Sequence, residues 1–117
     1  MGMLDELKIW GVDIEDASSR CLNNVALLER MLKKLPSSVK SIEVLPLIEA
    51  NDIAQAIVNA HTLKGVMGNL SVTSLYNLYT NIVNLLRENK IDEAIVLLKE
   101  AIVKQEELFA IISKYID

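Results

Sequence analysis

An all-α fold is predicted for this chain, as an antiparallel up-down four-helix bundle with a short extra N-terminal helix. Three observations carry the prediction. Apolar residues recur at helical spacing along nearly every segment, and no alternating strand pattern flanked by hairpin turns is found. The resulting stripes are wide enough to face a bundle core. The links between the long stripes are short, which favours antiparallel neighbours. The 117 residues fit a single domain, 1–117. A chain of this size buries roughly two-thirds of the surface that its unfolded form exposes.

The elements follow in order. Residues 4–9 make a short helix that Trp10-Gly11 stops. Asp13 caps a second helix that reaches about Leu22, with Ile14, Ala17, Cys21 and Leu22 as its apolar positions, and Asn23-Asn24 reads as a break or cap. A longer helix starts near Val25, with Leu28, Met31, Leu32 and Leu35 as its buried stripe. Pro36 and Pro46 follow. A proline suits a first turn but kinks a helix interior, so residues 37–50 are expected to form a helix bent or broken near one of them.

Asn51-Asp52 reads as a turn and an N-cap, with Gln55 placed to close a capping box. The next helix runs from about Ile53 past His61 to about Met67, where Gly68-Asn69 is a natural stop. Ser71 or Thr73 caps the helix after it, whose face is Leu75, Leu78, Tyr79, Ile82, Leu85 and Leu86. Glu88-Asn89-Lys90 ends that helix. Asp92 caps the last one, with the stripe Ile95, Leu98, Ala101, Ile102, Leu108, Phe109 and Ile112.

Composition narrows the function. Hydrophobic residues make up 51% and charged residues 24%, a globular balance, and with aromatics at 4% the aliphatic residues must fill the core. The net charge of −4 argues against a nucleic-acid partner, which calls for a basic face. No run of about 18 apolar residues is present, so no membrane insertion is expected. The opening lacks a basic-then-apolar signal pattern, and the expected location is the cytoplasm. Residues 1–3 read as a cloning scar or as the edge of a domain cut from a longer chain. Cys21 has no cysteine to pair with and reads as a small core hydrophobe. Trp10 is expected to pack on the bundle end, Tyr76 and Tyr79 in the core or at its rim, and Lys33-Lys34 and Glu106-Glu107 in solvent.

One stretch carries chemistry. His61 is the sole histidine, in Ala60-His61-Thr62-Leu63-Lys64-Gly65-Val66-Met67-Gly68-Asn69-Leu70. Helix neighbours on one face lie three, four and seven residues apart, so Lys64, Gly65 and Gly68 share a face with His61. The lysine is within reach of anything bound to the imidazole. The glycines leave the surface beyond the histidine bare, although a glycine inside a helix costs about 1 kcal/mol relative to alanine. A local rule broken beside a reactive side chain points to a functional site. The plainer reading is a histidine without special role, glycines that allow close helix packing and a solvated lysine; spacing alone leaves the two balanced.

Ala60-His61-Thr62-Leu63-Lys64-Gly65, with Gly68-Asn69-Leu70 after it, resembles the signature of the histidine-containing phosphotransfer (HPt) family. Trp10-Gly11-Val12-Asp13-Ile14 resembles the family's opening segment, Ser19-Arg20-Cys21-Leu22-Asn23-Asn24 its short helix and break, and Glu49-Ala50-Asn51-Asp52 its turn into the histidine helix. The likeness covers most of the chain, and the central hexapeptide is its specific part.

What the resemblance implies is a phosphorelay intermediate on a four-helix bundle. His61 accepts a phosphoryl group from a receiver-domain aspartate and passes it to a second receiver. Lys64 steadies the phosphate, and Gly65 and Gly68 give the receiver's loops access. The partners are response-regulator receiver domains and a sensor histidine kinase. The divalent cation comes with the receiver, so this chain is assigned no metal and no cofactor. It is not an enzyme with its own ATP site, and it is expected to be monomeric. Val66 or Met67 is a candidate for an apolar docking patch beside His61. Two positions depart from the family: Ser71, where it often has glycine, and Ile82-Val83-Asn84, where it often has a glutamate. Two alternatives stay open: a chemotaxis-type substrate domain phosphorylated by a kinase catalytic domain, and an unphosphorylated interaction bundle.

Overall fold

The computed structural model describes residues 2–116; Met1 and Asp117, the two ends of the expected domain, lie outside the described residues. Those residues form seven helices and no strand. They are α1 (Met3–Trp10), α2 (Ile14–Arg20), α3 (Val25–Val39), α4 (Leu45–Glu49), α5 (Ile53–Asn69), α6 (Thr73–Arg87) and α7 (Ile91–Ser113). The all-helical expectation holds.

The four long helices are α3, α5, α6 and α7. The 23 residues of α7 span about 35 Å, most of the molecule's 42 Å long axis. Helix α6 packs along both α5 and α7, while α3 and α4 meet α7, α4 meets α5, and α1 lies against α7 and α2. One buried cluster draws on every helix, with Leu7, Leu28, Leu32, Leu63, Met67, Leu75, Ile82, Leu98, Leu108 and Ile112 shut off from water. Tyr79 is the one aromatic ring in that core. Burial pushes its phenol up to about 12, and the hydroxyl donates to Gln105 Oε1 at 2.6 Å. No helix among the described residues is long and apolar enough to cross a membrane.

Four of the helix ends share one device. A Schellman end needs one residue in the left-handed region, whose successor donates back five residues. Asn51 (φ 60°) does this after α4, where Asp52 N donates to Leu47 O at 2.8 Å. Asn89 (φ 60°) does it after α6. Leu22 (φ 54°) does it after α2, although its side chain is 91% exposed. After α5 the residue is Ser71 (φ 56°), with Val72 N donating to Met67 O at 2.9 Å.

Several expected boundaries move for identifiable reasons. Gly68-Asn69 does not stop α5, because both residues stay helical and the left-handed step falls at Ser71. Residues 37–50 are broken ahead of Pro46, one of the expected forms, but the part before the break continues α3. Pro36 stays inside α3, where it removes the amide that Leu32 O would accept, and the hydroxyls of Ser37 and Ser38 donate to carbonyls of that last turn. The chain breaks between Val39 and Leu45, and Pro46 sits in the first turn of α4, where its fixed φ belongs.

Neither Ser71 nor Thr73 caps α6: Val72 holds that position without a side-chain bond. Asp92 lies in the first turn of α7 rather than at its cap, which is Lys90. Asp13, Asn24 and Asp52 do cap, each accepting an amide three residues on. Gln55 donates to Asn59 instead of closing a box with Asp52.

Candidate functional site

His61 stands at the middle of α5. The buried face of that helix is Ala56, Ala60, Leu63 and Met67, at steps of four and three. The same period puts Val58, His61, Thr62 and Gly65 on the opposite side, and all four are exposed. Side chains around this face bond both within α5 and to the link before α4. Thr62 Oγ1 donates to Val58 O at 3.0 Å, and Asn59 Nδ2 reaches Glu43 O in the link before α4 at 2.7 Å.

The two glycines do different work. A Cβ added to Gly65 would meet nothing within 4 Å, so no packing in the chain requires a glycine there, and the surface beside His61 is open. A Cβ on Gly68 would lie 2.8 Å from Tyr76 Cδ1 and 3.1 Å from Cε1. The space that Gly68 leaves is filled by the Tyr76 ring from α6, so the bare surface expected at both glycines exists at Gly65 alone.

Lys64 is half-buried, with its Nζ 5.8 Å from the centre of the Tyr76 ring. A cation over an aromatic face at that range gains about 0.5–1 kcal/mol at an exposed site. Among the described residues Lys64 is in none of the ion pairs, which join Lys8–Glu15, Arg20–Asp16, Lys90–Glu88 and Lys114–Glu6. Its charge is placed but not neutralised.

Beyond Gly65 the surface falls into a concavity of about 430 Å³ whose walls include Arg20, Asn69, Thr73 and Tyr76. A polar lock closes its far side. Ser71 Oγ donates to Asp16 Oδ2 at 2.5 Å, Arg20 Nε donates to the same oxygen at 2.9 Å, and Asp13 N donates to Ser71 O at 3.0 Å. The Ser71 hydroxyl first, and then Arg20, hold the Asp16 carboxyl below its usual range, while Asp16 raises Arg20. This lock ties α2 to the turn between α5 and α6, 55 residues away.

Comparison of the chain with family models, with curated proteins and with solved structures returned no match. The site therefore rests on its own geometry. An exposed imidazole can serve as a nucleophile. The Lys64 ammonium, three residues along α5, can balance an anion, and the surface at Gly65 is open.

Other expectations find their places. Met67 is fully buried and Val66 packs against the core, so Met67 belongs to no surface patch; the exposed apolar residue on the His61 face is Val58, at 54%. Met31 is 37% exposed and touches buried Cys21 through sulfur at 3.7 Å. Trp10 Nε1 donates to Glu107 Oε1 at 3.3 Å, holding α1 to α7. Ile82 and Val83 are buried and Asn84 is exposed, so α6 offers no carboxylate there. Among the described residues no cluster of three or more His, Cys, Asp and Glu could hold a metal.

The sequence reading missed the role of Tyr76 and the Asp16–Arg20–Ser71 lock. The available signal for the first was an unexplained glycine at 68 and an aromatic one helix later.

Proposed function

We propose that this chain is a histidine-containing phosphotransfer domain, an antiparallel bundle of α3, α5, α6 and α7 that carries a phosphoryl group on His61. The observation that carries the reading is the exposed mid-helix imidazole, with the Lys64 ammonium one turn away and open space at Gly65. The likeness of Ala60–Gly65 to the family's hexapeptide supports it independently.

The chemistry asks little of the chain. A ring nitrogen of His61, taken as Nε2, attacks the phosphorus of an aspartyl phosphate in a receiver domain. The P–N bond forms as the P–O bond breaks, and the aspartate leaves as carboxylate. The reverse step, on a second receiver, completes the relay. Lys64 offsets charge on the phosphoryl oxygens, and the receiver brings its divalent cation. Catalysis is positioning and charge stabilisation, shared between the two proteins.

The test is transfer from a panel of phosphorylated receiver domains. Label is expected on the parent chain and absent from His61→Gln. Equal labelling of the two would sink the assignment. Phosphate accepted only from an ATP-loaded kinase core, and from no receiver, would instead make the chain a kinase substrate domain.

A further inference from the structure

We infer that Tyr76 is a positioning residue for the His61 site: its ring is the seat on which the Lys64 ammonium is held. The inference rests on the phosphocarrier reading above and adds a residue that the resemblance does not supply.

The argument begins with Gly68. A helical glycine is unfavourable unless something needs its space. Here the Tyr76 ring does, with Cδ1 2.8 Å from where a Cβ would be. That close approach fixes the ring against α5 beside Lys64, four residues before Gly68. The ring face, not the hydroxyl, meets the ammonium at 5.8 Å.

The choice of seat matters chemically. A carboxylate would hold Lys64 equally well, but it would cancel the charge that a phosphoryl group needs. An aromatic face holds the cation through its quadrupole and leaves the charge whole. A lysine already ordered also loses less rotamer freedom when the anion arrives. Gly68, Tyr76 and Lys64 thus form one chain of support, in which the glycine admits the ring and the ring places the ammonium.

The test uses the full chain with phosphoramidate, a small phosphoryl donor that needs no docking surface. Phosphorylation of His61 is followed by ³¹P NMR, and the Lys64 ε-methylene shifts by ¹H NMR. In the parent the ring current moves those shifts upfield. Tyr76→Phe keeps the face and should behave as the parent. Tyr76→Leu should abolish the upfield shift and slow phosphorylation about two- to fivefold, the size of an exposed cation–π contact. Gly68→Ala, which displaces the ring without removing it, should weaken both signals. The Tyr76→Leu/Lys64→Gln double variant should be no slower than Lys64→Gln alone.

Parent-like rates in Tyr76→Leu overturn the inference. So does a double variant that is slower than Lys64→Gln, because Tyr76 would then act without Lys64. So does a Tyr76→Phe as slow as Tyr76→Leu. If the parent takes no phosphoryl group on His61, the carrier reading falls; the ring-current shift still decides the seat, and its absence from the parent overturns it.

Discussion

The Tyr76 ring and the Cα of Gly68 face each other so closely that a methyl group on residue 68 would lie 2.8 Å from Tyr76 Cδ1. Three residues of helix therefore separate two glycines of opposite character. Gly65→Ala fills open space and should stabilise the chain by about 1 kcal/mol through helix propensity. Gly68→Ala should fall short of that gain by about 1–3 kcal/mol, the cost of forcing extra volume into a packed contact. Urea melts of the two variants check the difference. Equal stabilities would show that the ring gives way freely.

Ser71 tests the turn after α5. It sits at φ 56°, is 5% exposed, and donates to Asp16. Ser71→Ala loses that hydrogen bond and keeps the left-handed strain, so it should destabilise by about 1–3 kcal/mol. Ser71→Gly loses the bond but relieves the strain, and should be more stable than Ser71→Ala by about 1 kcal/mol. Thermal melts of the pair give the order.

Acid should weaken the molecule through two carboxylates. Asp16 lies below its ordinary value of 3.8 because of Ser71 and then Arg20, and Glu6 below 4.5 because of Lys114 and then Tyr115. Each is more acidic folded than unfolded, so the unfolded chain binds more protons as pH falls. The stability they contribute is present above those ordinary values and is lost as pH drops through the lower folded ones. Asp16→Asn and Glu6→Gln should each flatten the acid limb of a stability-against-pH curve.

Alkali should act with the opposite sign. Tyr79 is raised by burial to about 12, and Tyr115 is raised above 10.0 by its hydrogen bond to Glu6. Their contribution is full below pH 10 and is lost as pH rises through the folded values. Tyr79→Phe should remove most of the alkaline loss near pH 12. It should also forfeit about 1 kcal/mol at neutral pH with the bond to Gln105. Chemical denaturation at pH 7 and pH 11 separates the two effects.

Gly65 bears on the proposed transfer. A leucine there would stand in the open space beside His61. A clash that costs about 1.4 kcal/mol of docking slows transfer from a receiver about tenfold. Phosphorylation by phosphoramidate, which docks nothing, should fall far less. Parallel rates with the two donors measure this, and equal losses would place the damage at the imidazole instead of at the partner's approach.

Much of the fold was legible because one-dimensional periodicity encodes it. The stripes of α6 and α7 follow from apolar spacing, which the 3.6-residue turn converts directly into a buried face. The caps at Asp13 and Asp52 were legible because a carboxylate three residues before a free amide is a local device. The face shared by His61, Lys64 and Gly65 needed only helix geometry.

The remaining features depended on contacts between segments far apart in the chain. The end of α5 at Ser71 could not be read, because nothing local marks this serine for the left-handed region, and Asp16, which accepts its hydroxyl, lies 55 residues earlier. The passage of α3 through Pro36 depends on two serine hydroxyls and on how α3 lies against α7. The purpose of Gly68 was invisible until α6 was laid beside α5 and Tyr76 entered its space. Sequence alone determined most of the residues that turn inward and the mid-helix place of His61, since both follow from local helix geometry. Tertiary structure decided what surrounds that histidine, since a glycine's vacancy acquires a meaning only from the side chain that fills it or leaves it open.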